Sequence, residues 1–184
     1  MIRIFDIILS LVGLTLLSPI ILVLIVMGYL DTGSPIFRQT RVGQNKKPFS
    51  LFKFRSMSVN TQSVSTHLVQ ASSITKWGSF LRKTKLDEIP QLLNVLKGDM
   101  SFVGPRPNLL NQIDLLKERD ARGVYSVRPG ITGLAQLNKI DMSTPELLAE
   151  TDAIMIHEIS LMKYFKYIIQ TLSGKGFGDR VIKN

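Results

Sequence analysis

The feature that most constrains this chain is a long apolar run near its amino-terminal end. From Ile2 to Leu30 the sequence is almost uninterrupted hydrophobic, and about 20 apolar residues in a helix suffice to cross a bilayer. A signal peptide would have a shorter apolar core followed by a small-residue cleavage site. Residues 29–33 offer no convincing site of that kind, so the run is predicted to be a membrane segment.

Ser18 and Pro19 lie near the middle of this run. A proline there removes a helix hydrogen bond and clashes with the preceding turn, so a bend is expected. Cationic residues flank both ends: Arg3 at the start, and Arg38, Arg41, Lys46 and Lys47 after the end. Because cytoplasmic flanks collect Lys and Arg, residues 1–32 are predicted to form a re-entrant helix-break-helix. A spanning helix with a proline kink is the alternative.

The charge balance indicates a polyanionic partner. Lysine and arginine number 23 against 14 acidic residues, giving a formal net charge of +9, which suits nucleic acid, anionic lipid or a phosphorylated substrate. The absence of cysteine excludes disulfides, a thiolate nucleophile and cysteine metal sites. His67 and His157 have no metal-ligand neighbour at helical spacing, so both are interpreted as ordinary polar residues.

The fold class predicted for residues 33–184 is α+β and mostly helical. Segments 36–43 and 49–57 alternate around a polar turn and are typical of a short β-hairpin. Alternation places Lys53 and Arg55 on one face of the second strand. That face is consistent either with phosphate or headgroup binding or with a solvated charged surface.

Helical patterns occupy much of the remaining sequence. Asn108 is expected to cap a helix to about residue 121 with Leu109, Leu110, Ile113 and Leu116 inward, and another helix starts at Ser143. Segments 74–83 and 161–172 mix aromatic and basic residues as interfacial helices do, with ordinary core packing as the alternative. Residues 59–73 are predicted to be a loop, and the glycine-rich tail from residue 174 is predicted to fray.

Two neighbouring carboxylates carry the strongest chemical signal. Asp87 and Glu88 precede Pro90, which is tolerated in a first helical turn. A capping box from Thr84 would give the acids a purely structural role. It would also place Pro90 beyond the first turn, at a cost of up to ~3 kcal/mol, so a helix that opens nearer Asp87 is preferred.

Arg106 follows this helix between Pro105 and Pro107, which restrict the backbone around it. Arg128 precedes a Pro-Gly pair in a second turn of the same character. An arginine whose backbone is fixed suits bidentate binding of phosphate. Both arginines are therefore candidate phosphate ligands.

Six segments, in this order, resemble the monotopic phosphoglycosyl transferases of the bacterial sugar transferase family. They are Ser18-Pro19, KFRSM at 53–57, LDEIPQL at 86–92, NVLKGDMS at 94–101, VGPRP at 103–107 and RPGITG at 128–133. No single motif is decisive, but the set is specific and covers essentially the whole chain. The resemblance is to the minimal catalytic core of the family, without the extra membrane helices of its larger members.

The resemblance implies transfer of a sugar 1-phosphate from a UDP-sugar, with an N-acetylated amino sugar as the expected donor, to undecaprenyl phosphate, releasing UMP. It implies that Asp87 is the nucleophile that forms an aspartyl-phosphosugar intermediate. Glu88 then assists as a base or metal partner, and Mg²⁺ binds at Asp87 and Glu88. The reaction would begin bacterial glycoconjugate assembly.

Phosphate clamps complete the expected site. Arg82, Arg106 and Arg128 are the candidates, with Lys53 and Arg55 as further phosphate-binding residues. Asp152 and Gln136 are site candidates in the half expected to recognise the nucleotide or sugar. Many family members carry a tyrosine pair shortly after the aspartate that matches Asp152, whereas this chain has Ile154 and Met155.

The resemblance also implies a location and a set of partners. The protein is expected at the cytoplasmic face of the bacterial inner membrane, where it contacts membrane lipids, the UDP-sugar and the polyprenyl phosphate, and not nucleic acid. The sequence leaves open whether it is a monomer or a homodimer. Two rival functions are direct transfer in a ternary complex with Asp87 as a metal ligand only, and a non-enzymatic basic membrane adaptor.

Overall fold

A computed structural model describes residues 1–59, 61 and 73–175, and this part of the chain is a mostly helical α+β fold. The helices are α1 (Ile2–Thr32), α2 (Lys76–Thr84), α3 (Gln91–Lys97), α4 (Ile113–Ala121), α5 (Leu134–Leu137), α6 (Pro145–Glu158) and α7 (Leu161–Leu172). The strands are β1 (Ile36–Val42), β2 (Pro48–Phe54), β3 (Ser101–Val103) and β4 (Gly130–Thr132). Most of the predicted 59–73 loop, including His67, and the tail from residue 176 lie outside the described residues.

The apolar run forms one helix of 31 residues, α1, and not two helices separated at Ser18 and Pro19. Pro19 lies inside it, and the Ser18 hydroxyl donates a hydrogen bond to the Thr15 carbonyl at 2.8 Å. By length and composition α1 can cross a membrane, which agrees with the predicted membrane segment. The structure shows no break in the helix at Ser18 and Pro19, while a bend at Pro19 and the path of α1 through a bilayer stay predictions.

One stripe of α1 packs against the rest of the protein. Asp6, Ser10, Leu24 and Gly28 are buried, and these positions recur on one helical face. Most of the other apolar side chains of α1 are exposed, such as Leu16 at 72% and Leu22 at 64%. Such a surface is stable only against lipid or another apolar partner.

Polar contacts hold the amino-terminal end of α1 to the domain. The Arg3 guanidinium donates to the Val95 and Leu96 carbonyls of α3 at 2.5 and 2.8 Å. The buried Asp6 carboxylate accepts from the Ser101 hydroxyl and the Phe102 amide at 2.9 and 3.0 Å. At the other end, Leu24 packs with Phe54 and Leu81, so α1 contacts the domain at both ends.

The predicted hairpin is confirmed. β1 and β2 pair antiparallel from Ile36 opposite Phe54 to Val42 opposite Pro48. The buried Asn94 side chain joins this hairpin to α3 by accepting from the Phe52 amide and donating to the Ser50 carbonyl. This contact fixes β2, which carries Lys53, against α3.

A second, parallel strand pair was not predicted. β3 and β4 align Ser101 with Gly130 and Val103 with Thr132. Their turns approach so closely that a Cβ on Gly130 would lie 2.0 Å from the Gly104 nitrogen. Glycine is therefore needed at this crossing, which brings the two predicted arginine turns side by side.

The inward face predicted for α4 is wrong for Leu110 and Ile113, which are exposed, while Leu109 is buried in the loop before the helix. Asn108 lies five residues before α4 and does not cap it; it is instead fully buried. Ile113 is 67% exposed, and Leu115 and Arg119 are the buried residues of the helix. Leu115 packs with Ala135 and Leu148, so α4 is rotated relative to the leucine pattern.

Helices α2 and α7 each combine buried and exposed apolar residues. The predicted 161–172 bounds of α7 are confirmed, and its Tyr164 and Tyr167 are buried. The Tyr164 hydroxyl donates to the Asp6 carboxylate at 2.8 Å, and burial together with Asp6 raises the pKa of Tyr164. Core packing therefore explains one face of α7, while Met162, Ile169 and Leu172 are exposed on another.

Candidate active site

The two carboxylates lie in a tight turn between α2 and α3. Leu86–Glu88 forms a 3₁₀ turn, and Pro90 stands immediately before Gln91, the first residue of α3. Lys85 before the turn has φ of 59°, a left-handed conformation that costs a non-glycine residue free energy and is concentrated at functional sites. Asp87 is 5% exposed.

The capping-box interpretation of the acids is wrong. Thr84 is the last residue of α2, and its hydroxyl donates to the Phe80 carbonyl at 2.8 Å. It therefore belongs to the end of one helix and not to the start of the next. The helix indeed opens after the acids, as Pro90 predicted.

Two cations hold Glu88. The Lys53 ammonium lies 3.6 Å and the Arg106 guanidinium 3.3 Å from the same oxygen, Glu88 Oε1. The exposed fraction of the side chain is 11% for Lys53, 21% for Arg106 and 14% for Glu88. Because they are shielded from water, these charges interact more strongly than a surface pair would. The structure thus brings together β2, the acidic turn and the loop after β3, which carry three of the predicted site residues, while the roles of those residues stay predictions.

Arg82 on α2 carries a hydrogen-bond donor with no partner in the part of the chain that the structure describes. Its Nε donates to the Ser56 hydroxyl at 2.9 Å. Its Nη1 is buried and has no acceptor among the described residues. A buried donor on a cation without a partner is costly, and a bound anion would remove that cost.

A small cavity opens beside Glu88 and Arg106. Gln136, predicted as a site candidate, also lines it, and its amide is held by the Ile131 carbonyl at 2.8 Å. The sequence did not indicate five further lining residues: Lys85, Ile131, Thr132, Thr171 and Lys175. The hydroxyls of Thr132 and Thr171 are hydrogen-bonded at 2.6 Å, which ties β4 to α7, and no motif signals such a long-range pair.

Two of the predicted phosphate ligands have other partners. Arg55 donates to the Ser34 carbonyl at 2.9 Å and stacks over Phe37. Arg128 donates to the Gly98 carbonyl at 2.8 Å, at the carboxyl end of α3, where a cation is favourable. Neither contact reaches Glu88, so both arginines hold neighbouring backbone in the structure, and their binding of phosphate stays a prediction.

Asp152 lies in a buried ion pair away from the cavity. The Arg119 guanidinium donates to it through Nε at 3.1 Å and Nη2 at 2.6 Å, and both side chains are 1% exposed. Burial raises the pKa of the Asp152 carboxyl, and Arg119 offsets part of that rise. The prediction that Asp152 lines the donor site is not supported, because the pair is enclosed by protein.

Arg119 connects this ion pair to the candidate site. Its Nη1 donates to the Arg106 carbonyl at 2.8 Å and to the Asn108 side chain at 3.0 Å. Tyr125 also donates to Asn108, and burial is the main cause that raises the pKa of Tyr125. No motif in the sequence predicts this role, since Arg119 resembles an ordinary surface charge of a helix.

The donor set fits Mg²⁺. Asp87 and Glu88 supply carboxylate oxygens, the hard ligands that this ion takes. No cluster of three or more His, Cys, Asp or Glu side chains suited to a metal occurs among the described residues. Mg²⁺ is commonly held by one or two carboxylates together with substrate phosphates, so two protein ligands suffice.

This domain carries a membrane helix and places two carboxylates beside lysine and arginine side chains. That arrangement is expected of a transferase that acts on phosphorylated substrates. The chain belongs to the bacterial sugar transferase family, whose model matches residues 1–176. The family predicted from the six sequence segments is therefore confirmed.

Curated relatives are consistent with this assignment. The uncharacterized sugar transferase EpsL of Bacillus subtilis is 41% identical over 92% of this chain and 84% of its own length. The UDP-glucose:undecaprenyl-phosphate glucose-1-phosphate transferase of Escherichia coli is 38% identical over 95% of this chain. A UDP-N-acetylgalactosamine-undecaprenyl-phosphate N-acetylgalactosaminephosphotransferase of Aeromonas hydrophila is 35% identical over 95% of it. The chain spans 40% and 44% of the length of these last two relatives.

Proposed function

We propose that the protein transfers a sugar 1-phosphate from a UDP-sugar to undecaprenyl phosphate and releases UMP. The observation that carries this proposal is the Asp87–Glu88 turn, with Lys53 and Arg106 at Glu88. A diphosphate donor can be attacked by a carboxylate only when its negative charge is neutralised. The unused donor of Arg82 supplies a further positive group for that purpose.

In the proposed mechanism, a carboxylate oxygen of Asp87 attacks the phosphorus that bears the sugar. The bond from that phosphorus to the UMP oxygen breaks, UMP leaves with the electron pair, and an aspartyl-phosphosugar remains. An oxygen of the lipid phosphate then attacks the same phosphorus and displaces the Asp87 carboxylate. No net proton is gained or lost by the protein over the two steps.

Glu88 and its two cations position the donor in this scheme. Lys53 and Arg106 fix the Glu88 carboxylate and place positive charge beside the developing charge of the leaving phosphate. When bound at Asp87 and Glu88, Mg²⁺ neutralises phosphate charge and orients the diphosphate. Direct transfer in a ternary complex, with Asp87 as a metal ligand, is the competing mechanism.

Trapping of the first half-reaction tests the proposal. Purified protein mixed with a UDP-sugar and Mg²⁺, without lipid acceptor, is expected to release about one UMP per active site and to gain the mass of a sugar phosphate. Because the named relatives use different sugars, the assay uses UDP-linked N-acetylglucosamine, N-acetylgalactosamine, glucose and galactose. An N-acetylated amino sugar is the expected donor. UMP release that strictly requires acceptor would favour the ternary complex.

We further propose that α1 enters and leaves the membrane on the cytoplasmic side of the bacterial inner membrane. Arg3 and Gly28 would be about 38 Å apart along a straight helix. Yet Arg3 binds α3, and Leu24, one turn before Gly28, packs with Phe54 and Leu81 of the domain. A helix that crossed the bilayer would carry one of these ends away from the domain.

Labelling tests this topology. Single cysteines inserted directly after Met1 and in place of Thr40, both exposed positions in a chain with no native cysteine, are expected to react equally with an impermeant maleimide in inverted inner-membrane vesicles. In intact spheroplasts both are expected to be protected. Reaction of the two cysteines from opposite sides would establish a spanning helix and contradict the re-entrant path.

A further inference from the structure

A second cavity of about 390 Å³ lies between α5 and α7. Its polar lining residues are Asn138, Lys163, Lys166, Gln170 and Lys175, and it is called the lysine cavity below. Lys163 is paired with Glu158 at 2.6 Å. Lys166 and Lys175 have no carboxylate partner among the described residues, so the cavity carries uncompensated positive charge next to two amide side chains. Such a set of donors suits a phosphate.

The lysine cavity adjoins the one beside Glu88. Lys175 lines both. Adjacent residues of two helices line the two cavities. Gln136 of α5 and Thr171 of α7 line the cavity beside Glu88, and their neighbours Leu137 and Gln170 line the lysine cavity. A phosphate held by the lysines therefore lies next to the cavity beside Glu88 and Arg106.

The exposed face of α7 adds an apolar surface to this charge. Met162, Ile169 and Leu172 are 83%, 64% and 83% exposed. At 100° per residue they form a sector that directly borders the row of Lys163, Lys166 and Gln170. A ligand that satisfies both sectors has a phosphate head and a hydrocarbon chain.

We propose that the lysine cavity binds the phosphate of the polyprenyl phosphate acceptor, whose hydrocarbon chain leaves along the apolar sector of α7. This assignment of the lysine cavity rests on the proposed function, because the polyprenyl phosphate is the second substrate of the proposed reaction. A nucleotide sugar fits less well, since it has no hydrocarbon to cover Met162, Ile169 and Leu172. In the ping-pong reaction the donor instead binds among Arg82, Lys53 and Arg106.

The test compares Lys166→Gln with Lys117→Gln, which removes an equally exposed lysine of α4. Steady-state assays in nanodiscs vary undecaprenyl phosphate and UDP-sugar separately, and a burst assay without acceptor measures UMP. Lys166→Gln is expected to raise KM for undecaprenyl phosphate about tenfold, the size of one lost charged hydrogen bond. Its UMP burst and its KM for UDP-sugar are expected to match those of the wild type and of Lys117→Gln.

Three results would overturn the proposal. They are an unchanged KM for the lipid acceptor, a parallel rise in KM for UDP-sugar, and an equal loss of binding to phosphatidylglycerol vesicles that contain no polyprenyl phosphate. The last would assign Lys166 to general lipid attachment.

If the wild type itself gives no UMP burst or product, the proposed function fails. The lysine cavity is then judged by native mass spectrometry of nanodiscs containing undecaprenyl phosphate, where equal retention by wild type and Lys166→Gln excludes it.

Discussion

Replacing Asp87 with asparagine is expected to abolish both UMP release and the sugar-phosphate adduct, with a fall in kcat of at least about a thousandfold. Asparagine keeps the shape of the side chain but its amide is a poor nucleophile toward phosphorus. Because the residue is 5% exposed in a short turn, an isosteric change is preferable to alanine, which would leave a gap. Intact-protein mass spectrometry and a coupled UMP assay measure the two outcomes.

Asp114→Asn is the matched control, since Asp114 lies exposed in the first turn of α4 and is expected to retain full activity. A result in which Asp87→Asn loses the adduct but still makes lipid-linked product would contradict the covalent route. Such a variant would turn over through a ternary complex, in which Asp87 contributes only as a ligand or positioning group.

The parts of the site that the sequence revealed are those set by local backbone chemistry. Pro90 can occupy only the start of a helix, so the acids before it had to lie at a helix entrance. The prolines around Arg106 fixed its loop, and the structure places that arginine on Glu88. The alternating pattern around a polar turn was enough to define the β1–β2 pair.

The parts that the sequence concealed depend on partners far along the chain. β3 and β4 have three residues each, too few for an alternating pattern, and their pairing is determined by the close approach of Gly104 and Gly130. The orientation of α4 depends on a buried arginine whose partner, Asp152, lies 33 residues away. Hydrophobic periodicity treats such an arginine as a surface residue, so the leucine pattern of α4 predicted the wrong face.

The continuity of α1 shows a different limit. Pro19 predicted a break because its ring removes one backbone hydrogen bond. The structure keeps one helix through this point, and the Ser18 hydroxyl binds the Thr15 carbonyl, an adjustment that helps long apolar helices to tolerate proline. The sequence thus indicated where the helix is weakest, while the contacts of Arg3 and Asp6 determine where its first turns lie.

Replacing Asp152 with alanine is expected to destabilise the fold by about 3–5 kcal/mol, because Arg119 would remain as a buried cation without its carboxylate. For a domain of this size the thermal midpoint in detergent would fall by about 10 °C. Asp120→Ala is the control, on the helix that carries Arg119, since its pair with Lys46 is more than half exposed and such a pair is worth at most about 1 kcal/mol.

The double variant Arg119→Met with Asp152→Leu separates stability from positioning. Removing both charges is expected to restore much of the lost stability, as apolar replacements of buried ion pairs often do. The Arg106 carbonyl and the Asn108 side chain would still lose their common donor, so kcat is expected to stay reduced in a fully folded protein. Full activity in that variant would show that Arg106 is positioned by its prolines alone. A change confined to KM for UDP-sugar in a stable Asp152→Ala protein would instead return Asp152 to the donor site.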